Sequence, residues 1–460
     1  MLFNSSIYLV FLPIIAFLYF AMPLYWRRYL LLFASYFFYG WWSIPFCGLL
    51  VLSTVVDYTA ARVIQESDSA RRKRTALLVS LTANLGVLSL FKYADFFSNS
   101  AYSFLGTRPW PELDLILPLG ISFYTFQTMS YTIDVYRGHL EARKSLLDVA
   151  IYVSFFPQLV AGPIIRSDTL IPQLRRDLKP DWLLIRSGIA LIIWGLTKKV
   201  FFADAMAPIV NEAYLDPSAM SGMALLSATY AFAVQIYCDF SGYSDIAVGS
   251  ALVLGVRLPP NFRQPYLSCS IREFWRRWHI SLSSWLRDYL YIPLGGSRRG
   301  PTRTQINLMI TMLLGGLWHG AGWNWVIWGG LQGALMSIER VLSISEEPPT
   351  EKWRFAIRWF VTFHLVCLSW VFFRAADVGQ AMQVLERIAT SAPGLHFSIW
   401  QPVLFAALLI AIELGRGRAR FIAYFQHAPR GTFWLTAVAT VVFMLAFQGI
   451  TNPEFIYFQF

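Results

Sequence analysis

Charge is scarce in this sequence. Of its 460 residues only 14% are Asp, Glu, Lys or Arg, whereas soluble globular proteins carry about 25%. Hydrophobic residues make up 56% of the chain, and its mean hydropathy is +0.48. Residues 2–24 and 29–54 contain no charged side chain, and each run exceeds the ~20 residues that cross a bilayer core. The sequence therefore predicts an all-α polytopic membrane protein, because backbone within lipid must be helical or enclosed by helices.

Several motifs of common chemistries are also missing. The four cysteines, Cys47, Cys238, Cys269 and Cys367, are scattered without a CxxC pair, which argues against a disulfide framework and a zinc site. The sequence has no GxSxG elbow, no P-loop and no HExxH motif. It also has no evident internal repeat, so the inverted-repeat pattern of many transporters is absent. We expect no metal site.

The positions of the basic residues predict a topology. Basic groups around residues 27–28, 71–74, 137–144 and 416–430 alternate with segments that hold few of them, such as 97–114 with Arg108. Basic loops favour the cytoplasm, and this also explains the net charge of +11 without invoking nucleic acid. We predict roughly 11–13 spans in a bacterial inner membrane, with both termini periplasmic. The first run has no flanking signal-peptide features and is predicted to be a retained span.

Four segments suggest local departures from simple spans. Residues 148–165, interrupted by two prolines and a glycine, predict a re-entrant segment enclosed by protein. Residues 273–296 mix tryptophans with arginines and favour an interfacial or re-entrant helix. YCDFSGYSD, 237–245, predicts a kinked helix whose Asp239 and Asp245 make structural polar contacts or form a proton relay. Residues 377–390 predict a surface helix that lies on the membrane or meets a partner.

The strongest candidate for chemistry is a histidine in LGGLWHGAGW, 314–323. Residues 304–338 carry no formal charge, and His319 is the ionisable group among them. Ionisable residues inside spans usually face a cavity, although a hydrogen bond to a neighbouring helix is the alternative. We interpret the surrounding glycines as leaving space for a substrate beside the ring. His279, in the segment 273–296, is either part of the same site or an interfacial polar group.

Seven segments in order resemble the membrane-bound O-acyltransferase family, and together they extend over nearly the whole chain. The most specific part is 261–323. The segments are FKYADFF (91–97), LPLGISFYTFQTMSYTIDVYRG (117–138), FPQLVAGPIIR (156–166), YCDFSGYSDIAVG (237–249), NFRQPYLSCSIREFWRRWHISLS (261–283), LLGGLWHGAGW (313–323) and NPEFIYFQF (452–460).

The resemblance implies a fold and a site. It implies one domain over residues 1–460 with a catalytic core at about 115–345, built as a ring of tilted helices with re-entrant segments around a central tunnel. An acyl thioester would enter this tunnel from one side and a hydroxyl acceptor from the other. The essential histidine of the family falls on His319, and a second polar position falls on His279. We expect the following residues to contact the substrate or the donor: Trp318, Arg276, Arg277, Trp278 and Asn324.

Within the family, the sequence is most similar to the branch that O-acetylates exopolysaccharides such as alginate. This implies transfer of acetyl from a cytoplasmic thioester, expected to be acetyl-CoA as a co-substrate, with no tightly bound cofactor. Periplasmic acetyltransferase proteins and the polysaccharide are the implied partners, beside the lipid bilayer. The alternatives are acylation of cellulose or peptidoglycan, D-alanylation of teichoic acid, and a transporter that uses Asp239, Asp245 and His319 as a proton relay.

Overall fold

The computed structural model describes residues 1–448 and 455, and this part of the chain contains helices and no β-strand. The expected all-α class is therefore confirmed. The ending 452–460 lies outside the described residues except for Phe455. The helices are α1 (Ser6–Ala21), α2 (Leu24–Gly40), α3 (Ile44–Glu66), α4 (Ala70–Leu88), α5 (Ala94–Leu105), α6 (Ile121–Tyr136), α7 (Leu146–Ser154), α8 (Ser167–Arg175), α9 (Trp182–Thr197), α10 (Asp204–Leu215), α11 (Gly222–Val253), α12 (Ile271–Arg277), α13 (Ile280–Leu286), α14 (Pro301–His319), α15 (Trp323–Val341), α16 (Lys352–Arg374), α17 (Val378–Ala389), α18 (Trp400–Leu414), α19 (Gly417–His427) and α20 (Arg430–Gln448).

Among the described residues, four helices are long and apolar enough to cross a membrane. They are Ile44–Glu66, Ala70–Leu105, Gly222–Val253 and Lys352–Arg374, and Ala70–Leu105 joins α4 to α5 through a π-helical turn. Two shorter apolar helices, α1 and α18, accompany them. The uncharged run 29–54 is divided between α2 and α3, which meet at a turn. The span count of roughly 11–13 stays a prediction.

The chain forms two compact units, one of residues 1–192 and 246–259, the other of residues 193–245 and from 260 onward. The boundaries at 192/193 and 245/246 fall inside α9 and α11, and the boundary at 259/260 follows α11. In the first unit α3 packs against α4 and α6 around the buried Asp57 carboxylate, which accepts hydrogen bonds from Ser80, Asn84 and Thr132. The expectation of a single domain is neither supported nor refuted by this division.

The first unit also contains residues 148–165, the segment predicted to be re-entrant. α7 ends at Ser154, and a series of turns continues to residue 162. All residues from 148 to 165 are buried. Several of its polar groups bond to other protein groups: the Tyr152 hydroxyl lies 3.0 Å from Gln127 O and from Ile165 O, and Gln158 Nε2 donates to Tyr152 O at 3.0 Å. The predicted enclosed, irregular backbone is therefore present.

In the second unit, the predicted kink at 237–245 is wrong, because α11 continues as one helix through residues 241–244. Gly242 lets it approach the backbone of α9 closely, since a Cβ at this position would lie 2.6 Å from Gly195 O. The two aspartates of this stretch form buried ion pairs with a π-helical turn that follows α9 (Lys198–Ala203). Lys199 Nζ lies 2.8 Å from Asp239 and from Asp204, and Lys198 Nζ lies 2.6 Å from Asp245.

The predicted surface helix over 377–390 is present as α17, whose first turn is capped by Asp377. Its buried face consists of Ala381 and Val384, which pack against the core of the second unit, whereas Met382 is exposed. Arg387 also donates to Met220 O at 2.7 Å. α17 is therefore packed on its own chain through Ala381 and Val384, and its contact with a membrane or a partner stays a prediction.

Candidate active site

His279 lies at a break between two short helices. α12 begins with a capping box, in which Ser270 Oγ accepts from Glu273 N and the Glu273 carboxylate accepts from Cys269 N at 2.7 Å. α12 ends at Arg277, and His279 adopts φ 42° and ψ 53°, the left-handed region that a residue with a Cβ seldom visits. The predicted continuous interfacial helix is thus two helices. His279 is fully buried, so it is not an interfacial polar group.

His319 ends α14, which pairs closely with α15 through glycines. A Cβ on Gly316 would collide with Trp325 O, and a Cβ on Gly329 would collide with Met312 O. A Cβ on Gly320 would collide with the Trp325 ring. The expected close backbone approach at these glycines is therefore confirmed, whereas Gly316 and Gly320 do not leave the expected space for a substrate. The exception is Gly315, which lines a cavity described below.

The two histidines lie close together among aromatic rings. The ring centroids of His279 and His319 are 6.3 Å apart, and Trp318 lies 5.8 Å from His279 and 5.0 Å from His319. Trp328 packs edge-on against His319 at 5.2 Å. His279 lies outside the four candidate spans, and burial lowers its pKa to about 3. Its imidazole is therefore neutral near pH 7 and can act as a hydrogen-bonding group.

A cavity of 530 Å³ in the second unit reaches His319. It connects the buried imidazole, which is 3% exposed, to the Arg276 side chain, which is 69% exposed. Apolar side chains and hydroxyl groups line its walls. The apolar group is Ile280, Leu282, Leu286, Leu308, Met312 and Met336, and the hydroxyl group is Ser283, Ser284, Tyr291, Ser297 and Thr311.

Four arginines line the outer part of the cavity: Arg272, Arg276, Arg287 and Arg340. Arg287 also pairs with Asp288 at 2.8 Å, and Arg272 lies 3.5 Å from Glu339. One acidic residue of the lining, Glu346, forms ion pairs with two of them. Its carboxylate lies 2.7 Å from Arg272 Nη1 and also contacts Arg276. Glu346 belongs to the loop between α15 and α16, so this loop covers part of the basic surface.

The predicted site residues separate into two groups. The structure brings His319, His279 and Trp318 together and places Arg276 on the cavity. The remaining three make other contacts: Arg277 pairs with Glu273 at 2.6 Å, Trp278 packs within an aromatic cluster, and Asn324 donates to Ala375 O at 2.8 Å and to Phe372 O. These three do not line the cavity.

Sequence reasoning missed several residues of the cavity. Arg272 lies within the quoted segment 261–283, and Arg340 follows the uncharged run 304–338, but nothing in their spacing indicates a shared surface. Trp328, which packs against His319 but does not line the cavity, was also missed. Its indole Nε1 is buried and has no hydrogen-bond partner among the described residues. A buried N–H group without a partner is costly, which makes this indole a candidate donor to a bound substrate.

These features place the buried His319 at the inner end of a cavity lined by arginines, with His279 and Trp318 packed nearby. Residues 70–376 match the model of the membrane-bound O-acyltransferase family, and the chain belongs to this family. It is an O-acyltransferase.

Curated relatives agree with this assignment. The chain is 44% identical over 390 residues to the protein named "Probable alginate O-acetylase AlgI" of Azotobacter vinelandii, covering 84% of this chain and 77% of the relative. It is 37% identical over 424 residues to a peptidoglycan O-acetyltransferase of Helicobacter pylori, covering 84% and 79%. A teichoic acid D-alanyltransferase of Bacillus subtilis is 28% identical over 282 residues, covering 57% and 70%.

Proposed function

We propose that this protein transfers acetyl groups from a cytoplasmic thioester to an envelope polysaccharide such as alginate, with His319 as the general base. The observation that carries the proposal is the cavity that joins the buried His319 to four arginines. Similarity to an alginate O-acetylase over most of the chain supports acetyl as the acyl group and alginate as the acceptor.

The chemistry requires two proton transfers and one acyl transfer. His319 accepts the proton of the acceptor hydroxyl, whose oxygen attacks the thioester carbonyl carbon. The carbon–sulfur bond then breaks, and the proton passes from His319 to the departing thiolate. The N–H groups of Trp318 and Trp328 and the His279 ring are the candidates to stabilise the negative charge on the carbonyl oxygen. A donor that fills the cavity would exclude from His319 the water that would otherwise hydrolyse the thioester.

The outer cavity supports a donor that carries phosphate groups, such as acetyl-CoA. Arg272, Arg276, Arg287 and Arg340 offer charge-assisted hydrogen bonds to phosphate oxygens. The apolar walls between these arginines and His319 suit the aliphatic arm of a thioester. The donor end is proposed to face the cytoplasm of a bacterial inner membrane, because the basic loop residues favour that side. Both termini are then periplasmic.

The acceptor is proposed to meet the donor at His319 from the periplasmic side, with periplasmic acetyltransferase proteins completing the transfer. Peptidoglycan is a second candidate acceptor, which the similarity to the Helicobacter pylori enzyme favours. The ion pairs of Asp239 and Asp245 with lysines give no support to a proton-relay transporter. Measuring the ester-linked acetyl content of alginate and of peptidoglycan from producing cells separates the two acceptors.

The decisive experiment is acetyl transfer by the purified full chain, with acetyl-CoA as the donor and alginate as the acceptor. His319→Ala should abolish turnover, because it removes the proton acceptor. A matched control is His364→Ala, which removes a histidine of α16 that is hydrogen-bonded to Phe360 O and lies off the cavity. His364→Ala should remain active. Normal turnover by a well-folded His319→Ala variant would refute the proposed mechanism.

A further inference from the structure

The left-handed conformation of His279 stands at the start of α13, whose first backbone N–H groups are bonded by a residue of another segment. His279 occupies the N-cap position of α13 and makes no side-chain capping bond. Helix N-termini expose backbone N–H groups that the N-cap side chain usually satisfies. In α13, Asn261 supplies the acceptors: Ile280 N donates to its backbone oxygen at 2.9 Å, and Ser281 N donates to its side-chain Oδ1 at 3.3 Å.

The segment around Asn261 holds both sides of the break. On the side before His279, Arg263 N donates to Arg277 O at 2.9 Å. On the side after His279, Asn261 accepts hydrogen bonds from the backbone N–H groups of the next two residues. Phe262, between these anchors, packs edge-on against Trp278 at 5.1 Å. Asn261 is itself buried, with 1% exposure, so water does not compete for these bonds.

We infer that Asn261 is a positioning residue for the reaction: it caps α13 in place of His279 and thereby holds the His279 imidazole toward His319. An N-cap residue that bonds to its own helix turns its side chain back onto the backbone. Because Asn261, from another segment, accepts the hydrogen bonds at the start of α13, the His279 ring is directed away from the backbone of α13. It packs against Phe240 at 4.7 Å and lies 6.3 Å from His319. This inference rests on the proposed function, in which His279 belongs to the site.

The chemistry of the cap predicts which substitutions are tolerated. Asp and Ser are good N-cap residues, because their oxygens accept the same N–H bonds. Asn261→Asp and Asn261→Ser should therefore retain turnover of acetyl-CoA within a few-fold of the native chain. Asn261→Ala leaves Ser281 N without its side-chain acceptor and lets residue 279 move. Displacements of about 1 Å in an active site cost roughly 100-fold in rate, so we expect kcat to fall by about 10- to 100-fold with little change in KM.

A double-mutant cycle with the purified full chain tests whether Asn261 acts through His279. Acetyl-CoA turnover is measured for Asn261→Ala, His279→Asn and the double variant, with the melting temperature of each. If the inference holds, Asn261→Ala lowers kcat in the native background and adds little in the His279→Asn background. The matched control is Asn84→Ala, which removes a buried asparagine that bonds to Asp57 in the first unit and should have the same small effect in both backgrounds.

The outcomes separate the inference from the proposed function. Equal losses from Asn261→Ala in both backgrounds, or no rescue by Asp and Ser, would overturn the positioning role alone. Turnover near the native level for both His279→Asn and His279→Ala would remove His279 from the site, and the inference would fall with it. If the double variant is too slow to measure, rescue by Asn261→Asp in the native background decides the question.

Discussion

Glu346 competes with the proposed donor for two arginines, so Glu346→Gln should improve donor binding. The carboxylate contacts Arg272 and Arg276, whose side chains are 19% and 69% exposed, while Glu346 itself is 24% exposed. Ion pairs of this exposure contribute about 0.2–1 kcal/mol each, with the less exposed pair at the upper end. The substitution releases Arg276 and leaves Arg272 paired with Glu339 at 3.5 Å, so it should favour an incoming phosphate by about 1 kcal/mol.

That free energy corresponds to a fall of about fivefold in the KM for acetyl-CoA. Arg272 should keep its position, because Ile344 O also accepts a hydrogen bond from it. The assay is the initial rate of thioester turnover against acetyl-CoA concentration, with kcat expected to stay within about twofold. Glu347→Gln is the matched control, since it removes the same charge from an exposed neighbour that does not line the cavity. A KM that stays constant or rises in Glu346→Gln, or falls equally in Glu347→Gln, would refute the reasoning.

Three further predictions concern the cavity, the buried ion pairs and the topology. Arg276→Gln should raise the KM for acetyl-CoA several-fold and make the KM less sensitive to salt, because one exposed charge of the lining is lost. An unchanged salt dependence of the KM would contradict the proposed role of Arg276 in binding donor phosphate. Lys199→Met should lower stability by about 3–5 kcal/mol, seen as a lower melting temperature, since Asp204 and Asp239 lose their shared cation; a native melting temperature would argue against it. A cysteine at position 108 should react with an impermeant reagent in intact cells, whereas one at position 72 should react only after permeabilisation; the reverse pattern would move the donor to the other side.

Some of this molecule could be predicted from composition and local pattern. His319 stands out in sequence because the residues around it carry no charge, and the helix pair that flanks it follows from two apolar runs separated by glycines. The break at His279 has no such signal. Two helices of seven residues each look like one amphipathic run, and nothing local marks a left-handed histidine. The cap by Asn261 and the ion pairs of Glu346 depend on contacts between residues 20 and 74 positions apart, which local patterns do not specify.

The lysine–aspartate pairs between the π-helical turn and α11 also bear on how the chain enters the membrane during synthesis. An aspartate at the centre of a spanning helix costs about 2.5–3.5 kcal/mol on insertion, and α11 carries both Asp239 and Asp245. Lys198 and Lys199 are made some forty residues earlier and are equally unfavourable in lipid alone. Neither α9 with the turn that follows it nor α11 should therefore insert well by itself, and we expect the two helices to leave the translocon together. A nascent chain that stops before Asp239 would expose both lysines and should be recognised by membrane proteases.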